Sequence, residues 1–137
     1  MSDDDFPITI YHNPDCGTSR NVVAIVKAAG YVPKVVEYLK VGWTRPLLET
    51  ILTDMPASPR DLLRVKGTPA AELGLLEPGV SDDSLIAAML AHPILVNRPI
   101  VVTPKGVKLC RPSEVVAVLL ARHPDEFTKE DGEVVKL

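Results

Sequence analysis

The spacing of apolar residues changes twice near the start of the chain. Ile8–Tyr11 is rich in β-branched residues and predicts a short strand. From Thr18 the apolar residues recur at helical spacing as far as Gly30, which is placed to end a helix. Lys34–Leu39 predicts a second strand, so the order strand, helix, strand indicates a βαβ unit with parallel strands. The predicted inner face of the helix consists of Val22, Ile25, Val26 and Ala29.

The middle of the chain predicts helices whose starts are marked by capping residues. Thr44 is placed to cap a helix over Pro46–Met55. Ser58 is followed by a proline and then by an acid three positions on, as at a helix start. Ser81–His92 predicts a further capped helix. Its predicted inner face consists of Ile86, Met89 and Leu90.

In the last third of the chain the sequence pattern is again typical of β-strands. Pro99–Thr103 and Val107–Cys110, joined by a turn at Pro104–Gly106, predict a hairpin. Pro112 opens a predicted helix, and the polar tail from His123 is expected at the periphery. The apolar residues of that last helix are Val115, Val118 and Leu119.

The predicted order of elements is βαβ, a helical block, then ββα. This order resembles a thioredoxin-like domain, so we predict an α/β fold with a mixed sheet and a helical insertion between its halves. The expected single domain spans 1–137, with halves at about 6–40 and 93–122 and the insertion at about 44–92. In that fold a reactive cysteine lies at the first strand-to-helix junction, and a proline, often cis, precedes the third strand. Cys16 and Pro99 occupy these places.

Composition and charge narrow the classes of function. The chain has 137 residues and a net charge of −3, so it shows no basic footprint for nucleic acid. Between Arg98 and Arg111 there are four basic residues and no carboxylate, which indicates either a site for a small anion or a solvated basic face. The acidic start "MSDDDFP" does not resemble a signal peptide, and no apolar run is long enough for a membrane span. We therefore expect a cytoplasmic protein with reduced thiols.

The stretch "HNPDCGTSR" carries the candidate chemistry. Cys16 immediately precedes the predicted helix, where free N–H groups and the helix dipole favour a thiolate. Gly17 lets the chain turn closely, Thr18 and Ser19 are placed to donate to sulfur, and Arg20 adds positive charge. An inert, buried cysteine is the alternative interpretation.

Ser19 stands where a C-x-x-C motif would have its second cysteine. Cys16 therefore needs another thiol to complete a redox cycle. Cys110 is one candidate for this thiol, but we expect it to face the core, which leaves an external thiol. A phosphatase loop, C-x5-R, is excluded because position 22 is Val22. His12 would either support the thiolate electrostatically or hydrogen-bond the loop. No spacing of ligands indicates a metal site.

Four motifs, "YHNPDCGTSR", "RDLLR", "HPILVNRPIVVTPKG" and "LCRPSEVV", together resemble the glutaredoxin-coupled arsenate reductases, a family with a thioredoxin-like fold. The resemblance runs from about Ile8 to Gly132 and includes "FTKEDGE". It implies that Cys16 is the nucleophile, assisted by His12. We count Ser19 with these catalytic residues. The implied oxyanion site comprises Arg64, Arg98 and Arg111, to which we add Gly17, Thr18 and Arg20.

The resemblance also implies the reaction and its partners. Arsenate would be reduced to arsenite through a thiolate–arsenic adduct, with glutathione as co-substrate, glutaredoxin as partner and no bound cofactor. Phosphate and sulfate would compete for the site, and a monomer is expected. A thioredoxin-like, glutathione-dependent thiol reductase without arsenate activity is one alternative, which would not need three arginines. A redox-responsive transcription regulator that binds RNA polymerase is another, although Ser19 removes its usual C-x-x-C switch.

Overall fold

The computed structural model describes residues 5–137, and the chain divides into two compact units. One unit combines the N-terminal part up to Glu37 with Arg98–Leu137, and the other is Tyr38–Asn97. The predicted insertion, residues 44–92, falls within the second unit. Residues 1–4, which begin the acidic start, lie outside the described residues.

The first unit contains a four-stranded mixed sheet in the order β2-β1-β3-β4. The strands are β1 (Thr9–His12), β2 (Lys34–Glu37), β3 (Ile100–Thr103) and β4 (Gly106–Leu109). β1 runs parallel to β2, whereas β1–β3 and β3–β4 are antiparallel, so the predicted βαβ unit and hairpin are confirmed. Helix α1 (Gly17–Ala28) is the crossover between β1 and β2.

Helix α1 packs its apolar face into the core of this unit. Val22, Ile25 and Val26 are completely buried, as their helical spacing predicts. They belong to one apolar cluster with Ile10 of β1 and Val101 of β3. Such a core fixes the start of α1 relative to the end of β1.

The second predicted strand is too long. β2 ends at Glu37, and Tyr38 begins a short helix, α2 (Tyr38–Val41). Tyr38 is completely buried, its ring stacks on Trp43 at 5.0 Å between centroids, and its hydroxyl donates to the Val96 carbonyl. These contacts within the second unit override the local preference for a strand.

The capping predictions for the second unit are confirmed. Its other helices are α3 (Arg45–Asp54), α4 (Pro59–Leu62) and α5 (Asp82–Ala91), capped by Thr44, Ser58 and Ser81, and the 3-10 helix Pro93–Leu95 follows α5. The predicted inner face of α5 is partly wrong, because Leu85 is buried and Leu90 only half-buried. This helix is apolar on nearly all sides, so its spacing did not define one face. Within residues 5–137, no helix is both long enough and apolar enough to cross a membrane.

The predicted helix after Pro112 is a 3-10 helix, Ser113–Leu119. Three residues per turn bring Ser113, Val116 and Leu119 onto one buried face. Val118, one of the apolar residues of the predicted helix, is therefore 56% exposed. The α-helical period assumed for this segment was wrong.

The polar tail from His123 lies at the periphery, as predicted, and none of its residues is buried. It forms a hairpin of β5 (Glu126–Thr128) and β6 (Val134–Lys136). Phe127 and Leu137 pack against the apolar cluster of the first unit. Because Phe127 alternates with polar neighbours, the mean composition of the tail concealed its inward-facing residue.

Candidate active site

Cys16 lies at the junction between β1 and α1, where it is the N-cap residue of the helix. The loop is held by its own backbone: Cys16 N–H donates to the Asn13 carbonyl at 3.0 Å, and Asp15 N–H donates to Asn13 Oδ1 at 2.9 Å. Ser19 is completely buried and its Oγ accepts a hydrogen bond from Asn13 N–H at 3.4 Å. The cysteine loop is thus tied to the first turn of α1, and only 8% of Cys16 is exposed.

The β3–β4 hairpin brings two of the predicted arginines to this sulfur. Arg98 precedes β3 and Arg111 follows β4, and the register that pairs Ile100 with Leu109 places both at one end of the hairpin. Arg111 Nη1 lies 3.6 Å from Cys16 Sγ and also donates to the Arg98 carbonyl at 2.9 Å. The Arg98 side chain hydrogen-bonds the same sulfur. The peptide bonds from Arg98 to Pro99 and from Arg111 to Pro112 are cis.

These groups make Cys16 acidic for a thiol. Burial raises its pKa, but the hydrogen bond from Arg98, the Ser19 backbone N–H and Arg111 outweigh burial and bring the pKa to about 7. Cys110 is completely buried in the apolar cluster, and burial raises its pKa to about 12. Only Cys16 is therefore a substantial thiolate near neutral pH.

This difference predicts a pH profile for alkylation. Because the pKa of Cys16 is lowered to about 7, its thiolate is populated above that pH and is lost as the pH falls through it. We expect the rate of Cys16 modification by iodoacetamide, followed by peptide mass spectrometry, to be half-maximal near pH 7. Cys110 should stay unmodified in the folded protein. A Cys16 midpoint near pH 9, the ordinary value, would contradict the site geometry.

His12 ends β1 and is buried, with 9% of its surface exposed. Burial lowers its pKa, Glu37 opposes this effect, and Arg20 and Lys27 add to it. A neutral imidazole is therefore the main form near neutral pH. Its Nδ1 atom is buried without a hydrogen-bond partner among residues 5–137. Both roles considered for His12 remain predictions.

Arg20 reaches a partner that sequence reasoning missed. Its guanidinium donates to both carboxylate oxygens of Glu130, with Nε–Oε2 at 3.0 Å and Nη2–Oε1 at 2.7 Å. Arg20 Nη1 also donates to the Pro14 carbonyl in the cysteine loop at 2.8 Å. Glu130 lies within "FTKEDGE", so the motif was noticed, but nothing local in the sequence connects it to Arg20.

A pocket of about 260 Å³ lies beside the first turn of α1. Gly17 and Thr18 line it from the helix, and the turn at 129–131 lines it from the C-terminal hairpin. Among residues 5–137, no group of three or more His, Cys, Asp or Glu side chains is arranged to hold a metal ion.

Comparison with known proteins is consistent with this arrangement. A model of the ArsC family matches residues 11–119, which is well over half of the chain. The chain belongs to the ArsC family. The family predicted from the four motifs is thereby confirmed.

The ArsC match extends to individual proteins. The chain is 58% identical over 129 residues to Arsenate reductase ArsI2 from Synechocystis, covering 93% of this chain and 92% of that protein. It is 54% identical over 132 residues to an arsenate reductase from Escherichia coli, and the match covers 93% of this chain and 92% of that protein. The structure of an arsenate reductase from Vibrio cholerae superposes with a TM-score of 0.80 at 35% identity, covering 84% of this chain and 98% of the other. The structure of a putative arsenate reductase from Yersinia pestis superposes with a TM-score of 0.76 at 38% identity, covering 80% of this chain and 97% of the other. The thioredoxin-like fold predicted from the order of elements is thus confirmed.

One predicted residue of the ArsC site, Arg64, belongs to the second unit. It lies two residues beyond the end of α4. Its backbone N–H donates to the Leu95 carbonyl at 2.7 Å, and its Nε donates to the Lys66 carbonyl at 3.2 Å. Its assignment to the oxyanion site stays a prediction from the resemblance.

Proposed function

We propose that this protein reduces arsenate to arsenite, with Cys16 as the nucleophile. The observation that supports this most strongly is a sulfur with a pKa of about 7 that is hydrogen-bonded by two guanidinium groups. A nucleophile surrounded by cations suits an oxyanion substrate, because the groups that stabilise the thiolate also attract the anion. The names of the relatives agree with this substrate.

The substrate site that we propose is formed around the sulfur. Arg98 and Arg111 offer planar donors to the arsenate oxygens, and the resemblance adds Arg64. The backbone N–H groups of Gly17 and Thr18, in the first turn of α1, have no helical acceptor and favour an anion. Arg20 stays a predicted member of this site, although its guanidinium is paired with the Glu130 carboxylate, which offsets its positive charge.

The first chemical step is attack of the Cys16 thiolate on arsenic. A sulfur–arsenic bond forms, and one arsenate oxygen leaves as water after taking up protons. Arg98 and Arg111 stay in contact with the remaining oxygens and offset their negative charge. Phosphate and sulfate should occupy the same site and compete without turnover, because a thiolate does not reduce them.

The electrons then come from outside thiols. Reduction of arsenate to arsenite consumes two electrons, which two thiols supply as they join in a disulfide, and the lost oxygen appears as water. Ser19 replaces a local second thiol, and Cys110 is completely buried with a pKa of about 12.

We propose that glutathione adds to the arsenic of the adduct with loss of water, and that a glutaredoxin thiolate then attacks the glutathione sulfur. A glutaredoxin–glutathione disulfide leaves, and the electron pair of the broken sulfur–arsenic bond reduces arsenic to the trivalent state. Water then hydrolyses the Cys16–arsenic bond, which releases arsenite and restores the thiolate. We propose a monomeric enzyme without a bound cofactor.

The choice of reductant is tested by supplying alternative donors. We expect arsenite formation when glutathione and glutaredoxin are both present, and little or none with thioredoxin and its reductase. Glutathione without glutaredoxin serves as the control for direct reduction. Equal turnover with the thioredoxin pair would reject the proposed donors. Disulfide reduction without arsenate turnover would instead favour the glutathione-dependent thiol reductase.

A further inference from the structure

The turn of the C-terminal hairpin is bonded to the helix that carries Cys16. The backbone N–H of Glu130 donates to Asn21 Oδ1 at 3.0 Å, and its carboxylate accepts two hydrogen bonds from Arg20. Arg20 and Asn21 both lie in the first half of α1. The tail thus makes a specific polar contact with the active-site helix in addition to its apolar packing.

The same guanidinium continues this contact into the cysteine loop. Arg20 Nη1 donates to the Pro14 carbonyl at 2.8 Å, two residues before Cys16. The side chain of Arg20 therefore bridges the Glu130 carboxylate and the loop backbone. Glu130 raises the pKa of Arg20 and Arg20 lowers the pKa of Glu130, so both partners stay ionised over the range in which Cys16 titrates.

Gly17 permits the close approach of Glu130 to the helix. A Cβ atom at this position would lie only 3.1 Å from Glu130 Oε1 and 3.6 Å from Arg20 Nη2. Any larger residue would press on the carboxylate that orients Arg20. The glycine after Cys16 thus has a packing role at this contact.

We propose that Glu130 is a positioning residue for the Cys16 loop, acting through Arg20 on the Pro14 carbonyl. The side chains of this ion pair are each 45% exposed, so its contribution to the free energy of unfolding is small. Its effect on reaction geometry is expected to be larger, because displacement of a nucleophile by about 1 Å can cost about 100-fold in rate. The C-terminal hairpin is therefore part of the active-site scaffold.

The test uses three substitutions and a matched control. Glu130→Asp keeps the charge but shortens the side chain, Glu130→Gln removes the charge, and Arg20→Gln removes the bridge to Pro14. Glu133→Gln is the control, because Glu133 lies in the same hairpin and pairs with Lys129. The double variant of Arg20→Gln with Glu130→Gln shows whether the two residues act together.

We expect both Glu130 variants and Arg20→Gln to lower kcat/KM for arsenate by about tenfold, with a nearly unchanged unfolding midpoint. The double variant should be no worse than Arg20→Gln alone, and Glu133→Gln should match the unmodified protein. Wild-type behaviour of Glu130→Asp beside an impaired Glu130→Gln would show that charge alone matters and would overturn the proposal. So would additive losses in the double variant, or unchanged kinetics in all variants.

A second measurement, the rate of Cys16 alkylation, does not depend on the proposed reaction. The kinetic assay rests on the proposed function, because it measures arsenate reduction. Cys16 is only 8% exposed, so release of its loop should speed alkylation of the thiolate severalfold at a pH well above 7. The Glu130 and Arg20 variants should show this acceleration, and Glu133→Gln should not. If the unmodified protein fails to reduce arsenate, this measurement still decides the positioning role, and identical alkylation rates would reject it.

Discussion

Replacing Cys16 with serine is expected to lower arsenate turnover by about 1,000-fold or more, which corresponds to about 4 kcal/mol of activation free energy. A serine hydroxyl has a pKa too high for the surrounding arginines to produce a useful alkoxide nucleophile. The same arginines help to bring the pKa of the Cys16 thiol to about 7. The measurement is arsenite formed per enzyme with glutathione and glutaredoxin in excess. The serine variant should retain the fold, because the loop is held by backbone bonds and by Ser19.

The matched control for this experiment is the second cysteine. Cys110→Ala should keep most of the turnover, because Cys110 is completely buried and serves as a core residue. We expect Cys110→Ala to lower the free energy of unfolding by about 1 kcal/mol, because the core loses the contacts of the sulfur atom. Denaturant unfolding measures this change. If turnover survived in Cys16→Ser but disappeared in Cys110→Ala, the assignment of Cys16 as the nucleophile would be wrong and Cys110 would be the reactive thiol.

Loss of either sulfur-binding arginine is expected to have the next largest effect. Arg98→Gln and Arg111→Gln each remove a guanidinium that lowers the pKa of Cys16, while the burial that raises it remains. The pKa should therefore move from about 7 toward the ordinary 9. We expect kcat/KM for arsenate at neutral pH to fall by about 10- to 100-fold, the range for a lost charge-assisted hydrogen bond.

The pH profile separates the two functions of each arginine. If an arginine only activated the thiol, raising the pH to 9 would restore full activity in its variant, since the thiolate would form again. We expect only partial recovery, because binding of the anion is also weakened. Arg122→Gln is a suitable control, since Arg122 caps the opposite end of α1 through the carbonyls of Ala29 and Gly30. An unchanged Cys16 pKa in both site variants would contradict the electrostatic assignment.

The parts of the fold that depend on local chemistry were predictable from the sequence. The apolar period of α1 and the left-handed Gly30 at its end define that helix, and Thr44, Ser58 and Ser81 cap the helices of the second unit as expected. The position of Cys16 follows from the same reasoning, because a strand followed at once by a helix places the intervening residue at free N–H groups.

Features that depend on distant contacts were not predictable from spacing. Tyr38 continues the apolar pattern of β2 and was therefore predicted to belong to the strand. In the structure it begins helix α2, where its ring stacks on Trp43. Val118 lies outside because its segment has a 3-10 rather than an α-helical period. Glu130 is separated from Arg20 by 110 positions, and only the packing of the hairpin brings the two together.

The direct test of Cys16 as nucleophile is to locate arsenic on the protein during reaction. The protein is incubated with arsenate and glutathione without glutaredoxin, and then analysed by mass spectrometry under non-reducing conditions. We expect arsenic and glutathione on the peptide that contains Cys16, none on the peptide that contains Cys110, and none at all in Cys16→Ser. Arsenite formation with glutaredoxin present, but with no arsenic ever found on Cys16 in its absence, would contradict the mechanism.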